Sequence, residues 1–232
     1  MPQTLRRAAR ALRLEVPDIG TVSALASQPA HPHAALALAH GAGAGMRHPF
    51  MEAVAERLAE RGVATLRYQF PYLELGARRP DPPAVATATV RAAAALALDT
   101  FEGVPLFAGG KSFGGRMTST AQAEGPMPEV RGLVFLGFPL HPTGRPAIVR
   151  AEHLSHVRVP MLFLQGDRDA LADLNLLRPL CQRLGPRATL EVAEGADHSF
   201  HVRKASGTTD EEVLDWLATT AGDWMRGVPS RA

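Results

Sequence analysis

The chain has 232 residues, of which 46% are hydrophobic and 21% charged, proportions typical of a globular protein with a buried core. Its net charge is only +2 and no basic stripe with interleaved aromatic residues is present, which argues against a nucleic-acid-binding protein. Because Cys181 is the only cysteine, and because no signal-peptide block and no run of about 18 apolar residues is present, we expect a cytoplasmic protein without disulfide bonds, a cysteine-based metal site or a membrane span.

The order of apolar runs and helical patterns along the chain predicts an α/β fold. Strands are predicted at residues 14–16, 21–25, 34–39, 63–68, 104–108, 130–137, 161–165 and 189–193. Helices are predicted at residues 51–62, 85–98, 113–123, 171–184 and 210–225. The first two strands should form a hairpin, whereas the later alternation of strand and helix indicates a parallel sheet with helices on both faces.

No composition break or internal repeat divides the chain, so we expect one domain over residues 1–232, with its core at about residues 14–225 and a short tail at each end. Residues 1–12 are expected to form a tail or a frayed helix. Roughly 20 residues separate the strand that ends near Leu140 from the strand that begins near Met161, which leaves little room for a lid domain.

The strand at residues 104–108 leads into Gly110-Lys111-Ser112-Phe113-Gly114, a G-x-S-x-G match that a helical pattern follows. In a nucleophile elbow of this kind the chain turns so tightly that the serine adopts a strained conformation and its hydroxyl projects from the turn. The same residues resemble the end of a phosphate-binding loop, but that motif needs a glycine where this chain has Pro105. A nucleophilic Ser112 is therefore favoured over a nucleotide site.

A second glycine-rich loop, His40-Gly41-Ala42-Gly43-Ala44-Gly45-Met46, follows the strand at residues 34–39. It fails the G-x-G-x-x-G pattern because Met46 stands where the third glycine should be, so a dinucleotide site is disfavoured. In serine hydrolases a His-Gly-x loop after a strand supplies one backbone N–H of the oxyanion hole. We expect the N–H groups of Ala42 and Phe113 to form that hole.

Candidate partners for Ser112 follow two later strands. Asp167 and Asp169 come after the strand at residues 161–165, and Asp197 and His198 come after the strand at residues 189–193. A serine hydroxyl needs a base to remove its proton and a third group to orient that base, and the chain order serine, acid, histidine is typical of hydrolases with this elbow. Asp197 adjoins His198 and is expected to stabilise a turn. Asp167 directly follows a glycine and could also stabilise a turn, but it remains an alternative for the acid of the triad.

The remaining histidines carry no clear metal pattern. Three pairs have a spacing that suits a metal ion but lack a third ligand: His31 and His33, His153 and His156, and His198 and His201. We therefore expect neither a metal nor another cofactor. Substrate contacts are expected from His40, Phe70 and His141, with His48 at the pocket mouth, and Arg67 should meet either an anionic group or a buried ion-pair partner.

Taken together, the motifs resemble those of a known family. They are the loop at residues 40–46 with His48-Pro49-Phe50-Met51, then Arg67-Tyr68-Gln69-Phe70-Pro71-Tyr72 with Arg79-Pro80, and then Gly109-Gly110-Lys111-Ser112-Phe113-Gly114-Gly115-Arg116-Met117. Over roughly residues 14–225 the chain resembles small lidless α/β-hydrolases, which are similar to dienelactone hydrolases and include testis-expressed and chromatin-complex hydrolase-like relatives.

The resemblance implies the α/β-hydrolase fold: a mostly parallel central sheet with helices on both faces and no lid domain. It also implies serine-hydrolase chemistry, with the acid at Asp169, three residues after Gly166, which is the usual position in such families. Dienelactone hydrolases proper differ, because they use a cysteine where this chain has Ser112. The resemblance implies no particular substrate and leaves the oligomeric state open.

Two functional hypotheses follow. The first is a serine hydrolase for carboxylic ester or thioester bonds of small molecules, in which Ser112 attacks, His198 is the general base and Asp169 orients the imidazole. The second is a non-catalytic binding or scaffold protein on the same fold, since a fold does not fix a function.

Overall fold

The computed structural model describes residues 9–229 of the chain. These residues contain the strands β1 (Arg10–Val16), β2 (Gly20–Ser27), β3 (Ala34–Ala39), β4 (Val63–Tyr68), β5 (Leu106–Lys111), β6 (Val130–Leu136), β7 (Met161–Gly166) and β8 (Ala188–Ala193). All eight form one sheet in the order β1-β2-β4-β3-β5-β6-β7-β8. The pairs β1–β2 and β2–β4 are antiparallel, and every pair from β4 to β8 is parallel.

Helices cover both faces of this sheet. They are α1 (Pro49–Glu60), α2 (Pro71–Glu74), α3 (Pro83–Thr100), α4 (Phe113–Glu124), α5 (Leu174–Leu184) and α6 (Asp210–Gly227). Short 3₁₀ helices span Val149–His156, Gly185–Arg187 and Lys204–Ser206. Apolar residues of α1 and α6 pack on one face, and those of α3, α4 and α5 pack on the other.

The central strands are mostly apolar because both of their faces are buried. In β3, Leu36 and Leu38 belong to the core under α1 and α6, whereas Ala35 and Ala37 belong to the core under α3 to α5. Strands of this kind place their carboxyl ends along one edge of the sheet. The loops after β3, β5, β7 and β8 therefore meet there, and they carry the candidate site.

All eight predicted strands and all five predicted helices are present, although several boundaries differ. The prediction of a tail or frayed helix is wrong for residues 10–12, because β1 begins at Arg10, which pairs with Ala26 of β2. Strand pairing along the whole hairpin outweighs the helical preference of the arginine-rich sequence. Residues 1–8 of that predicted tail lie outside the described residues.

The β5 strand runs further than predicted, through Gly109 and Gly110 to Lys111. Both glycines stand where neighbouring strands approach closely: an added Cβ would lie 1.9 Å from the Val134 carbonyl oxygen at Gly109 and 2.3 Å from the Ala39 carbonyl oxygen at Gly110. These glycines continue the strand because only a residue without a side chain fits there.

The connection between β6 and β7 contains the 3₁₀ helix Val149–His156, which packs against α4. This described connection contains no lid domain. Within residues 9–229, no helix has both the length and the apolar composition that crossing a bilayer requires.

Candidate active site

Ser112 lies at the sharp turn between β5 and α4. Its φ is 50° and its ψ is −114°, a conformation that a residue with a side chain rarely adopts and that marks a strained position. The turn is possible because Gly114 packs directly under the loop after β3, where an added Cβ would come within 2.6 Å of the His40 carbonyl oxygen. Sequence and packing together hold the Ser112 hydroxyl at the carboxyl edge of the sheet.

The loops after β7 and β8 bring Asp169 and His198 to this serine. The Nε2 atom of His198 lies 2.9 Å from Ser112 Oγ, and its Nδ1 atom lies 2.7 Å from Asp169 Oδ2. An ionised carboxylate only accepts, so His198 Nδ1–H donates to Asp169 and Nε2 is left to accept the serine proton. The arrangement can make Ser112 a nucleophile.

Asp169 is held by several donors. Its side chain is fully buried. Oδ1 accepts the backbone N–H of Leu171 at 2.7 Å, and Oδ2 also accepts the side-chain amide of Gln165. Gln165 in turn accepts the backbone N–H of Phe138 at 2.9 Å, which ties the carboxylate to the loop after β6. Sequence reasoning missed Gln165, because a glutamine in an apolar strand carries no motif.

The other two aspartates stabilise turns. Asp167 Oδ1 accepts the Gly195 N–H at 2.8 Å and so links the loop after β7 to the loop that carries His198. Asp197 Oδ1 accepts the backbone N–H groups of Ser199 and His201 at 2.8 and 3.0 Å, the turn role expected for it. Among the described residues, the carboxylate that accepts a hydrogen bond from the His198 imidazole is that of Asp169.

Two backbone N–H groups beside Ser112 are available to bind an oxyanion. Phe113 is the first residue of α4, where helical N–H groups have no partner within the helix. Ala42 lies in the turn after β3, and among residues 9–229 no protein group accepts its N–H. That turn is braced by a hydrogen bond from the Gly43 N–H to the Tyr72 hydroxyl at 2.7 Å.

Arg67 stabilises the loop after β3 through a hydrogen bond and contacts helix α1 through an ion pair. Its guanidinium donates to the Met46 carbonyl oxygen at 3.1 Å and lies 3.7 Å from a carboxylate oxygen of Glu52 on α1. Of the two roles considered for Arg67, the ion pair is the one observed. Burial lowers the pKa of this guanidinium, and the charge of Glu52 opposes that shift.

The three residues expected to contact substrate are buried beside the site. His40 donates from Nδ1 to the Gly41 carbonyl oxygen and accepts the Phe70 N–H at Nε2, 3.2 Å away, and burial lowers its pKa to about 4. The Phe70 ring packs edge-on against His40 and Phe113. His141 Nε2 accepts the Asp173 N–H at 3.0 Å. None of these three residues lines the cavity at Ser112, and each has a packing or hydrogen-bonding role instead.

A cavity of about 370 Å³ opens at Ser112 and His198. Gly41, Ala42, Ala44, Phe50, Met51 and Leu171 supply most of its wall, with His48 and Ser199 among the polar residues. His48 thus lines the pocket as expected. A larger groove of about 590 Å³ runs beside β8 and contains none of Ser112, Asp169 and His198. The cavity at Ser112 is of the size that takes a small organic molecule.

No three His, Cys, Asp or Glu side chains within residues 9–229 gather as a metal site. His153 instead contacts the Ser119 hydroxyl, with Nε2 2.8 Å from Oγ, and burial lowers its pKa to about 4.

Comparisons with known proteins identify the family and the fold. Residues 32–226 match the model of a family described as "Alpha/beta hydrolase domain". Among solved structures, a lidless α/β serine hydrolase from Xanthomonas campestris is 21% identical over 100% of both chains, with a TM-score of 0.74. A dienelactone hydrolase from Anabaena variabilis is 20% identical over 97% of this chain and 100% of its own, with a TM-score of 0.76.

A third similar structure is the esterase domain of a Rhodothermus marinus protein. It is 19% identical over 95% of this chain and 98% of its own, with a TM-score of 0.71. At these identities the likeness shows a shared fold, and the eight-stranded sheet with its helical layers is that fold.

Proposed function

The chain belongs to the alpha/beta hydrolase domain family, and from that membership we propose that it is a serine hydrolase acting on carboxylic ester or thioester bonds of small molecules. The observation that carries the proposal is the continuous contact from Ser112 Oγ through the His198 imidazole to the buried Asp169 carboxylate.

The proposed reaction has two halves. Ser112 Oγ attacks the carbonyl carbon while His198 Nε2 takes the serine proton. The same imidazole then gives that proton to the departing alcohol or thiol, which leaves an acyl group on Ser112. Water attacks the acyl-enzyme with His198 again as base, the acid is released and Ser112 regains its proton. Asp169 holds the Nδ1–H tautomer and stabilises the imidazolium that forms.

Charge that develops on the carbonyl oxygen is met by the N–H groups of Ala42 and Phe113. One such donor typically lowers the barrier by about 3 kcal/mol. Because Phe113 begins α4, the positive end of the helix dipole adds to this stabilisation. Both donors are backbone groups, so their position depends on the two loops and not on side-chain identity.

The cavity wall supports uncharged, compact substrates. Phe50, Met51, Leu171 and the alanines of the loop after β3 present apolar surface, and the volume of about 370 Å³ suits a short acyl or aryl group. For an ester or thioester, the departing alcohol or thiol would take its proton from His198.

A serine-directed fluorophosphonate probe tests the proposal. We expect the wild-type protein to be labelled at Ser112 and to hydrolyse short aryl esters, and we expect Ser112→Ala to lose both, with turnover lower by about 10³-fold or more. Ser155→Ala is the matched control, because Ser155 is an exposed serine whose hydroxyl donates to the Glu152 carbonyl oxygen, and it should behave like the wild type. A folded wild-type protein that neither reacts with the probe nor cleaves any ester or thioester would favour a binding or scaffold role instead.

A further inference from the structure

Lys111 is the last residue of β5 and the neighbour of Ser112. The chain has two lysines, Lys111 and Lys204, against twenty-three arginines. The aliphatic part of Lys111 lines the cavity, with Cγ 3.5 Å from the position of an added Cβ on Gly41, whereas its ammonium end reaches into the interior. A lysine with a buried ammonium is costly unless that group has partners.

The partners of the ammonium come from two other parts of the fold, the loop after β8 and helix α1. Nζ donates to the backbone carbonyl oxygen of His198. It also lies 5.9 Å from the ring centroid of Phe50 on α1 and 5.3 Å from that of Phe200, and these two rings stack with an interplanar angle of 9°. Aromatic rings at these distances attract a cation.

The charge of this ammonium is opposed by its burial. Burial lowers the pKa of Lys111 to about 8, while the carboxylates of Asp169 and Asp197 act in the other direction. A largely buried ammonium needs partners to offset its lost hydration, and the hydrogen bond to the His198 carbonyl oxygen is one of them. The group that it holds is the main chain of the histidine that contacts Ser112.

The Nζ atom of Lys111 lies beside Gly137, near the Asp169 carboxylate and the His198 ring. Gly137 lies against it: an added Cβ on Gly137 would be 3.0 Å from Nζ and 3.6 Å from both Asp169 Oδ2 and His198 Cε1. Arginine carries a planar fork that is wider than an ammonium. An arginine at position 111 would bring a wider head group to this place, so we expect it not to replace the lysine.

The loop that carries His198 has hydrogen bonds of its own, but these involve the residues on either side of His198 and not its carbonyl oxygen. Ala196 pairs with Val202 as an isolated bridge, and the Asp197 turn binds the N–H groups that follow. Within residues 9–229, the His198 carbonyl oxygen accepts its hydrogen bond from the side chain of Lys111. It links the strand that ends at the nucleophile to the backbone of the base.

We propose that Lys111 is a positioning residue of the site: its ammonium fixes the His198 main chain and thereby keeps the imidazole between Ser112 and Asp169. The inference rests on the proposed hydrolase function for its kinetic consequence. The proposed effect of Lys111 on the position of the His198 ring can be tested without turnover.

Lys111→Met tests this role, because methionine keeps an unbranched chain of similar length and removes the ammonium. We expect the variant to fold with a thermal midpoint equal to or above that of the wild type, since a buried charge gives way to an apolar group. The rate of fluorophosphonate labelling and kcat should fall by about 10²-fold with KM little changed, as expected when a reacting group is misplaced. Lys111→Arg should fail to restore the rate, because its wider head group does not fit beside Gly137.

Lys204→Met is the matched control. Lys204 is the only other lysine, it is exposed in the 3₁₀ helix Lys204–Ser206, and its replacement should leave labelling and kcat unchanged. A Lys111→Met protein that is labelled within about twofold of the wild-type rate would overturn the inference while leaving the hydrolase proposal intact.

Proton NMR decides the question even if the wild type shows no turnover. The His198 Nδ1–H proton, which Asp169 accepts, should give a low-field signal in the wild type and in Lys204→Met, and this signal should be broadened or lost in Lys111→Met. An unchanged low-field signal in Lys111→Met contradicts the positioning role. Absence of labelling in a wild type that keeps the signal contradicts the hydrolase function alone.

Discussion

At the scale of single residues, Asp167 and Asp169 are two positions apart and do different things. Asp169 is buried and accepts the His198 Nδ1–H, whereas Asp167 binds a backbone N–H of the neighbouring loop. A carboxylate against Nδ1 is needed to hold the tautomer whose Nε2 accepts the serine proton. The difference between these two residues can be tested by removing one charge at a time.

Asp169→Asn should lower kcat for ester hydrolysis by about 10⁴-fold, because an amide in place of the carboxylate favours the wrong imidazole tautomer. Asp167→Asn is the matched comparison: its amide oxygen can still accept the Gly195 N–H, so kcat should stay near the wild-type value. Steady-state kinetics on one aryl ester, with circular dichroism to check the fold, measures both. Equal losses in the two variants would show that Asp169 has no special role.

Sequence patterns could predict the residues that carry motifs but not those that act through tertiary contacts. Ser112 and His198 could be proposed because each follows a strand in an expected order, and Asp169 could be proposed over Asp167 from the family resemblance. Lys111 and Gln165 could not be, because their partners, the His198 carbonyl oxygen and the Phe138 N–H, lie 87 and 27 residues away in the chain. His40 was expected to contact substrate, yet both of its ring nitrogens are occupied by backbone groups.

At the scale of elements, the β5–α4 turn depends on close packing against the loop after β3. Gly114 lies at the start of α4, where an added Cβ would be 2.6 Å from the His40 carbonyl oxygen and 2.7 Å from the Ala39 Cβ. Neither neighbour is a flexible side-chain end that can move aside. The turn at Ser112 and the loop after β3 are therefore in close contact, and neither can accept a larger side chain at Gly114 without moving.

Gly114→Ala should lower the free energy of unfolding by about 1–3 kcal/mol, the usual cost of overpacking. Gly227→Ala is the control, because this glycine ends α6 and an added Cβ there meets no atom within 4 Å. Alanine at that position should be neutral or slightly stabilising. Urea denaturation followed by tryptophan fluorescence gives both values. A Gly114→Ala protein as stable as Gly227→Ala would mean that the loop after β3 can move away at little cost.

Elements with long apolar runs were predictable, and elements set by packing were not. β3, β6 and β7 read as buried strands because their sequences are apolar on both faces. The four-residue helix α2 and the 3₁₀ helix Val149–His156 were not predicted, since segments this short and irregular are fixed by their contacts with the rest of the fold.

At the scale of the whole molecule, the hairpin of β1 and β2 lies outside the residues that match the family model. It nevertheless extends the sheet, because β2 pairs with β4 from Ala24–Tyr68 to Ser27–Thr65. Leu14, Val16 and Val22 of the hairpin are buried in the core. Without it, β4 would become an edge strand with unpaired backbone groups.

A chain that begins at residue 28 should therefore aggregate or unfold at a lower temperature than the full chain, because exposed apolar edge strands pair with other molecules. Size-exclusion chromatography with thermal unfolding measures the effect. Glu15→Ala, which alters only the exposed face of the hairpin, should remain unaffected. A monodisperse truncated protein with the full-length unfolding midpoint would show that the hairpin is dispensable.

The short connection between β6 and β7 bears on the time course of turnover. In gated hydrolases, opening of a lid can limit the rate of each cycle. Here that connection holds only a 3₁₀ helix that packs against α4, so no lid has to move before a substrate reaches Ser112 or before water reaches the acyl group. Progress curves should accordingly start without a lag, and the lifetime of the acyl-enzyme should be set by bond cleavage and not by a conformational step.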